Sequence, residues 1–113
     1  VGLADAVSES LGGRPTAVRG VETVVVDGAG GRWHHRAEVS GLGTSGSGDV
    51  LTGVLLALLA RGAEPVVAMA WAVALHARAG ALASADVGPV GYLAREVADR
   101  LPRALSSSTS PGA

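Results

Sequence analysis

The chain has 113 residues, 48% apolar and 17% charged, which is enough for one globular domain and excludes both a second domain and a disordered chain. Its formal net charge of −1 argues against a nucleic-acid surface or an anionic membrane surface. All nine basic residues are Arg and there is no Cys, so a Schiff-base lysine, a phosphate-loop lysine, a thiolate nucleophile and a disulfide framework are all excluded.

In chain order, residues 3–11 read as a short helix closed by Gly12, Gly13 and Pro15. Two short strands follow, at Thr16–Arg19 and Glu22–Val26, and the cluster from Asp27 to Gly31 reads as a turn. Beyond it Trp33, His35, Ala37 and Val39 alternate with His34, Arg36 and Glu38, the period of a half-buried strand that closes a hairpin. After a Gly/Ser/Thr loop from Ser40 to Gly48, residues 49–60 form a helix apolar nearly all round, which predicts burial. A second long apolar helix spans residues 66–85. A third, over residues 90–101, places Val90, Leu93, Val97 and Leu101 inward and pairs Glu96 with Arg100 outside, with Pro102 ending it. Residues 106–113 are low in complexity and read as a disordered tail. The longest unbroken apolar run, Val66 to Leu75, is ten residues and too short for a bilayer; with no signal peptide visible, a cytoplasmic protein is expected. With only Trp33, Trp71 and Tyr92 as aromatics, the core is built from Ala, Val and Leu.

The informative stretch is Gly41-Leu42-Gly43-Thr44-Ser45-Gly46-Ser47-Gly48-Asp49, with four glycines and three hydroxyls running straight into a helix. Glycines let backbone N–H groups turn toward a ligand, and a helix N-terminus adds about half a positive charge, so the loop suits phosphate. Gly41, Gly43 and Gly46 fit the spacing of a dinucleotide fingerprint, but a second helix follows where that motif needs another strand. Gly43 and Gly48 have the spacing of a Walker A loop, but Asp49 stands where that loop has Lys. What remains is an anion loop that ends in an acid. It would stabilise a transferring phosphoryl group while Asp49 accepts the proton of the attacking alcohol. The competing reading is ordinary: Asp is a favoured N-cap. His34 and His35 alternate and do not share a metal. His76 on an apolar helix reads as a hydrogen-bonded core histidine, and Trp71 as core packing.

These residues resemble a known family. Residues 41–53 are similar to the Gly-Leu-Ala-Thr-Gly-Gly-Ser/Thr-Gly-Asp-Val-Leu-Ala-Gly signature of ADP/ATP-dependent NAD(P)H-hydrate dehydratases. Leu75-His76-Ala77-Arg78-Ala79-Gly80 resembles that family's Leu-His-Gly-x-Ala-Gly. Val18-Arg19-Gly20-Val21-Glu22-Thr23 resembles its Leu-Lys-Gly-Ala-x-Thr, with Arg19 in place of Lys. The likeness covers residues 1–105 and about the last third of a family domain. It implies the C-terminal part of a ribokinase-like α/β fold: a β-hairpin, the glycine loop and three helices. It further implies dehydration of hydrated NADH or NADPH, driven by ADP in bacteria or ATP in eukaryotes, with Mg²⁺. By the same resemblance Asp49 contacts the hydrated nicotinamide and serves as the catalytic acid–base group. Arg19, Gly20, Val21, Glu22, Thr23, Gly46, Ser47 and Gly48 line the nucleotide site. A homo-oligomer and a fused or partner epimerase are further expectations. The alternatives are a vitamin or sugar kinase of the same fold, or an inactive truncated fragment. Sugar kinases tend to have Asp where Gly43 stands, and thiazole kinases Cys where Asp49 stands, which favours the dehydratase.

Overall fold

A computed structural model describes residues 2–19, 22–36, 46–88 and 92–108. Helix α1 (Leu3–Ser10) leads into strands β1 (Thr16–Val18), β2 (Glu22–Val26) and β3 (Arg32–Arg36), followed by helices α2 (Ser47–Ala60), α3 (Pro65–Asp86), α4 (Ala94–Ala98) and α5 (Leu101–Ser107). The strands form an antiparallel sheet in the order β1-β2-β3, with Thr16 opposite Val26 and Glu22 opposite Arg36. β2 is the valine-rich central strand, and it alone of the three buries Val25 and Val26 almost completely. The β2–β3 turn is tied by Asp27, whose Oδ1 accepts from the amides of Ala29 at 2.7 Å and Gly31 at 2.9 Å. Gly28 in that turn has φ +82°, and a Cβ there would lie 1.9 Å from the carbonyl oxygen of Gly13, so the residue has to be glycine.

β3 departs from the alternation seen in the sequence. Trp33 is 40% exposed and only His35 is half-buried; among the described residues β3 is an edge strand of the sheet. Ala37, Glu38 and Val39 lie outside the described residues.

α3 is the core helix. Glu64 caps it, accepting from the amides of Val66 and Val67, and Pro65 occupies the first turn, where its missing N–H costs nothing. Leu75, Ala79 and Ala83 pack with Tyr92, Val97 and Ala104. The small alanines let α3 meet the C-terminal helices closely. At 22 residues α3 is longer than the apolar run noted in the sequence, and length and composition alone would let it cross a bilayer; 61% of its most apolar 18 residues, however, are buried inside the fold.

Three expectations are corrected. First, α2 is not buried: Ser47 is its one buried residue, while Leu56 and Leu59 are 61% and 38% exposed. Val50 and Val54 pack toward the α3 core, and none of the described elements covers the opposite side. Second, the single helix expected over residues 90–101 is two helices separated by Asp99 and Arg100. Pro102 starts α5 rather than ending its predecessor, since in a continuous helix its ring would clash with the Ala98 carbonyl. Ser106 and Ser107, assigned to the tail from the sequence, belong to α5; residues 109–113 lie outside the described ones. On the inner face Val97 is buried, but Leu93 is 47% exposed. Third, Glu96 and Arg100 do not pair through their side chains. The Glu96 carboxylate accepts from the Leu93 amide at 2.9 Å, while Arg100 donates to Asp86 at 3.0 Å and to the Glu96 carbonyl at 2.7 Å. Each charged group has a nearer backbone or side-chain partner than the other.

Candidate functional site

The glycine loop enters α2 through Gly46, whose φ of +87° is a left-handed conformation that favours glycine. The Gly46 carbonyl accepts from the amides of Asp49 at 3.1 Å and Val50 at 3.3 Å, which starts the helix. The start of α4 abuts this cap: a Cβ on Gly46 would lie 3.4 Å from the Ala94 Cβ. Ser47, Gly48 and Asp49 then form the first helical turn, with Ser47 buried and Gly48 and Asp49 exposed. Thr52 closes the turn by donating to the Gly48 carbonyl at 3.0 Å.

Asp49 is not the N-cap. Gly46 holds that position, without any side-chain capping bond. The Asp49 carboxylate is exposed on the first turn and has no hydrogen-bond or salt-bridge partner among the described residues. The ordinary capping explanation for this acid therefore fails.

Two residues distant in sequence converge on the same turn. Arg19 follows directly on β1, and its Nη1 lies 3.5 Å from where a Cβ on Gly48 would stand. A methyl group would just fit there, and a longer side chain would displace the guanidinium. His76, in the middle of α3, is 2% exposed and donates from Nε2 to the Ser47 carbonyl at 2.9 Å. Burial, and secondly the nearby Arg19 charge, push its imidazole from the usual 6.5 down to about 4, although the Ser47 carbonyl pulls the other way. His76 is therefore neutral at physiological pH. The proximity of Arg19 to the positive end of α2 makes this turn an anion locus, with an unpaired carboxylate one residue further along.

Not every residue expected at the site is placed there. Gly20, Val21 and residues 41–45 lie outside the described residues. Glu22 is exposed and pairs with Nδ1 of His34 across the β2–β3 ladder, and Thr23 is buried within β2 opposite His35. Among the described residues no group of three His, Cys, Asp or Glu gathers in metal-binding proximity. His76 reads from the sequence as a hydrogen-bonded core histidine, and so it is. What sequence reading missed is that its partner is the turn opened by the glycine loop, 29 residues away; no local pattern signals that contact.

Comparison with known proteins places this arrangement. The family model described as NAD(P)H-hydrate dehydratase matches residues 7–103. An ADP-dependent (S)-NAD(P)H-hydrate dehydratase of Xanthomonas campestris is 44% identical over 93 residues, covering 76% of this chain and 32% of the relative. The bifunctional NAD(P)H-hydrate repair enzyme Nnr of Mycobacterium leprae is 42% identical over 89 residues, covering 79% of this chain and 19% of the relative. Among solved structures, Bacillus subtilis YxkO, a member of the UPF0031 family presented as a candidate kinase, superposes with a TM-score of 0.83 at 29% identity; the match covers 91% of this chain and 38% of that one. The fold is thus the C-terminal part of a ribokinase-like α/β architecture, and the chain spans about a third of the length of the Xanthomonas and Bacillus proteins.

Proposed function

Because the chain belongs to the NAD(P)H-hydrate dehydratase family, we propose that it forms part of an enzyme that uses ADP to dehydrate (S)-NAD(P)H hydrate. The observation that carries this reading is the first turn of α2: a glycine-opened helix N-terminus backed by Arg19, with the carboxylate of Asp49 exposed and unpaired beside it. Water is a poor leaving group, and phosphorylation of the hydrate hydroxyl makes it a good one. The backbone of Gly46, Ser47 and Gly48, with the Arg19 guanidinium, would hold the terminal phosphate of ADP. Asp49 would take the hydroxyl proton as the oxygen–phosphorus bond forms and AMP leaves. The carbon–oxygen bond then breaks, phosphate departs, and loss of a proton from the adjacent ring carbon restores the reduced nicotinamide.

A Mg²⁺ ion entering with the nucleotide would be held chiefly by phosphate oxygens and water, which fits a turn that offers one exposed carboxylate and no cluster of ligands among the described residues. Its chemistry when bound would be neutralisation of phosphate charge. A fused or partner epimerase that supplies the correct hydrate epimer, a homo-oligomeric state and a cytoplasmic location belong to the same proposal; the Mycobacterium leprae relative is named a bifunctional repair enzyme.

The assay supplies the complete enzyme with (S)-NADH hydrate and ADP and follows the return of NADH absorbance. Recovery that depends on ADP is the expected result. Phosphorylation of a free alcohol such as hydroxymethylpyrimidine, with no action on the hydrate, would favour the kinase reading that the likeness to YxkO keeps in view.

A further inference from the structure

The buried imidazole of α3 is the group that this function leaves unused. His76 lies in a helix whose interior is otherwise Ala, Val and Leu, flanked by Leu75 and near Ala72, Val73 and Ala79, all nearly inaccessible. Burying an imidazole among alkyl groups costs more than burying Leu unless its N–H finds an acceptor. The acceptor it finds is not on its own helix or in the core. It is the carbonyl of Ser47, the first residue of α2, reached through a buried hydrogen bond. A helix N-terminus is ordinarily held by a side-chain cap, and α2 has none, because Gly46 supplies no capping atom. The turn that carries Gly48 and Asp49 is bonded through the Ser47 carbonyl to a side chain of another helix, and Arg19 abuts it at Gly48.

We propose that His76 is a positioning residue of the nucleotide site: by donating to the Ser47 carbonyl it sets the direction in which the first turn of α2 presents the Gly48 amide and the Asp49 carboxylate. The inference rests on the reading of that turn as the nucleotide site. The Ser47 carbonyl and the Gly48 N–H share one peptide plane, so the bond to His76 fixes the orientation of that N–H beside Arg19. A misplacement of about 1 Å in such a group costs as much as 10²-fold in rate. Leu at position 76 would fill the same space without the bond, whereas Gln keeps an N–H donor of similar reach.

The test compares His76→Leu and His76→Gln in the complete enzyme, after confirming that wild type binds ADP. ADP affinity is measured by titration calorimetry, turnover at saturating ADP, and amide hydrogen exchange across residues 46–50 against residues 66–83 of α3. The expected result is that His76→Leu binds ADP about tenfold more weakly and exchanges faster at Gly48 and Asp49, with α3 protection unchanged. His76→Gln stays within about twofold of wild type in both readouts. A folded His76→Leu protein with wild-type ADP affinity and wild-type exchange at Gly48 overturns the proposal. Should His76→Leu fail to fold, His76→Gln decides, and loss of ADP binding by that variant refutes the role of the donor. A wild-type enzyme that ignores ADP would defeat the functional reading instead; the exchange comparison at residues 46–50 would then still show whether the bond orders the turn.

Discussion

Helices α2 and α3 are written in nearly the same alphabet, Ala, Val and Leu with a few polar residues, yet they lead opposite lives. In α3 eleven of 22 residues are buried; in α2 one of 14 is. Apolar composition says that a helix would gain by burial, and neighbours decide whether it is buried. α3 touches β2, β3, α2, α4 and α5, with Ala79, Ala83 and Ala104 small enough to bring the helices together. α2 shares only its Val50 and Val54 side with that core. The comparison also separates two tasks. α3 supplies mass and a buried histidine bonded to the start of α2, while the N-terminal turn of α2 carries an exposed carboxylate beside Arg19.

The contrast can be broken or sharpened by mutation. The largest effect is expected on α2, where packing matters least. Asp49→Asn in the complete enzyme should lower turnover by ~10²-fold or more and leave ADP affinity near wild type, since it removes a proton acceptor and leaves the phosphate-holding backbone intact. Steady-state kinetics with calorimetry measures both, and unchanged turnover would remove the acid–base role. Next comes a matched pair in the 113-residue chain. Leu75→Ala should destabilise by about 3 kcal/mol, and Leu56→Ala by no more than about 0.5 kcal/mol, read by denaturant unfolding. A Leu56 cost near that of Leu75 would mean that α2 is covered after all.

The pH dependence of stability probes the buried histidine itself. His76 titrates near 6.5 when unfolded and at about 4 when folded, so its contribution is fully present above pH 6.5 and is lost as pH falls through about 4. The unfolded chain takes up a proton that the folded site, buried and facing Arg19, refuses. The amount is roughly 3 kcal/mol, and His76→Gln should lack that part of the acid destabilisation. Thermal melts of both proteins between pH 7 and pH 4 give the difference; parallel curves would show that the imidazole is not held neutral. The smallest effect is local to the start of α3: Glu64→Ala should cost about 1 kcal/mol through loss of the cap on Val66 and Val67.

Local features were legible before any coordinates. The bounds of β2 follow from a run of Val between turn residues, and the hairpin from Asp27 and the glycines after it. The extents of α2 and α3 follow from Gly48, Gly62 and Pro65 to within two residues. The candidate acid was legible too, because Asp49 closes a glycine loop at a helix start. The C-terminal helices were misjudged because an inner-face periodicity of Val90, Leu93, Val97 and Leu101 continues smoothly across a position that Pro102 forbids to a single helix. For Glu22 the motif implied a place at the nucleotide, and the structure adds a cross-strand partner, His34, that the motif did not signal.

What the amino-acid order alone determined is therefore a set of features fixed by neighbours in the chain: the bounds of β2, the β2–β3 turn, the ends of α2 and α3, and a glycine loop whose likeness to a family carried the functional reading. Tertiary structure alone decided which apolar helix is buried, and it brought Arg19 and His76 to one helical turn across gaps of 29 residues each, Arg19 to Gly48 and Ser47 to His76. The reason is physical. Propensity and periodicity act over a few residues, whereas burial, the fall of the His76 pKa and the orientation of a carbonyl depend on groups that meet only when the chain has folded.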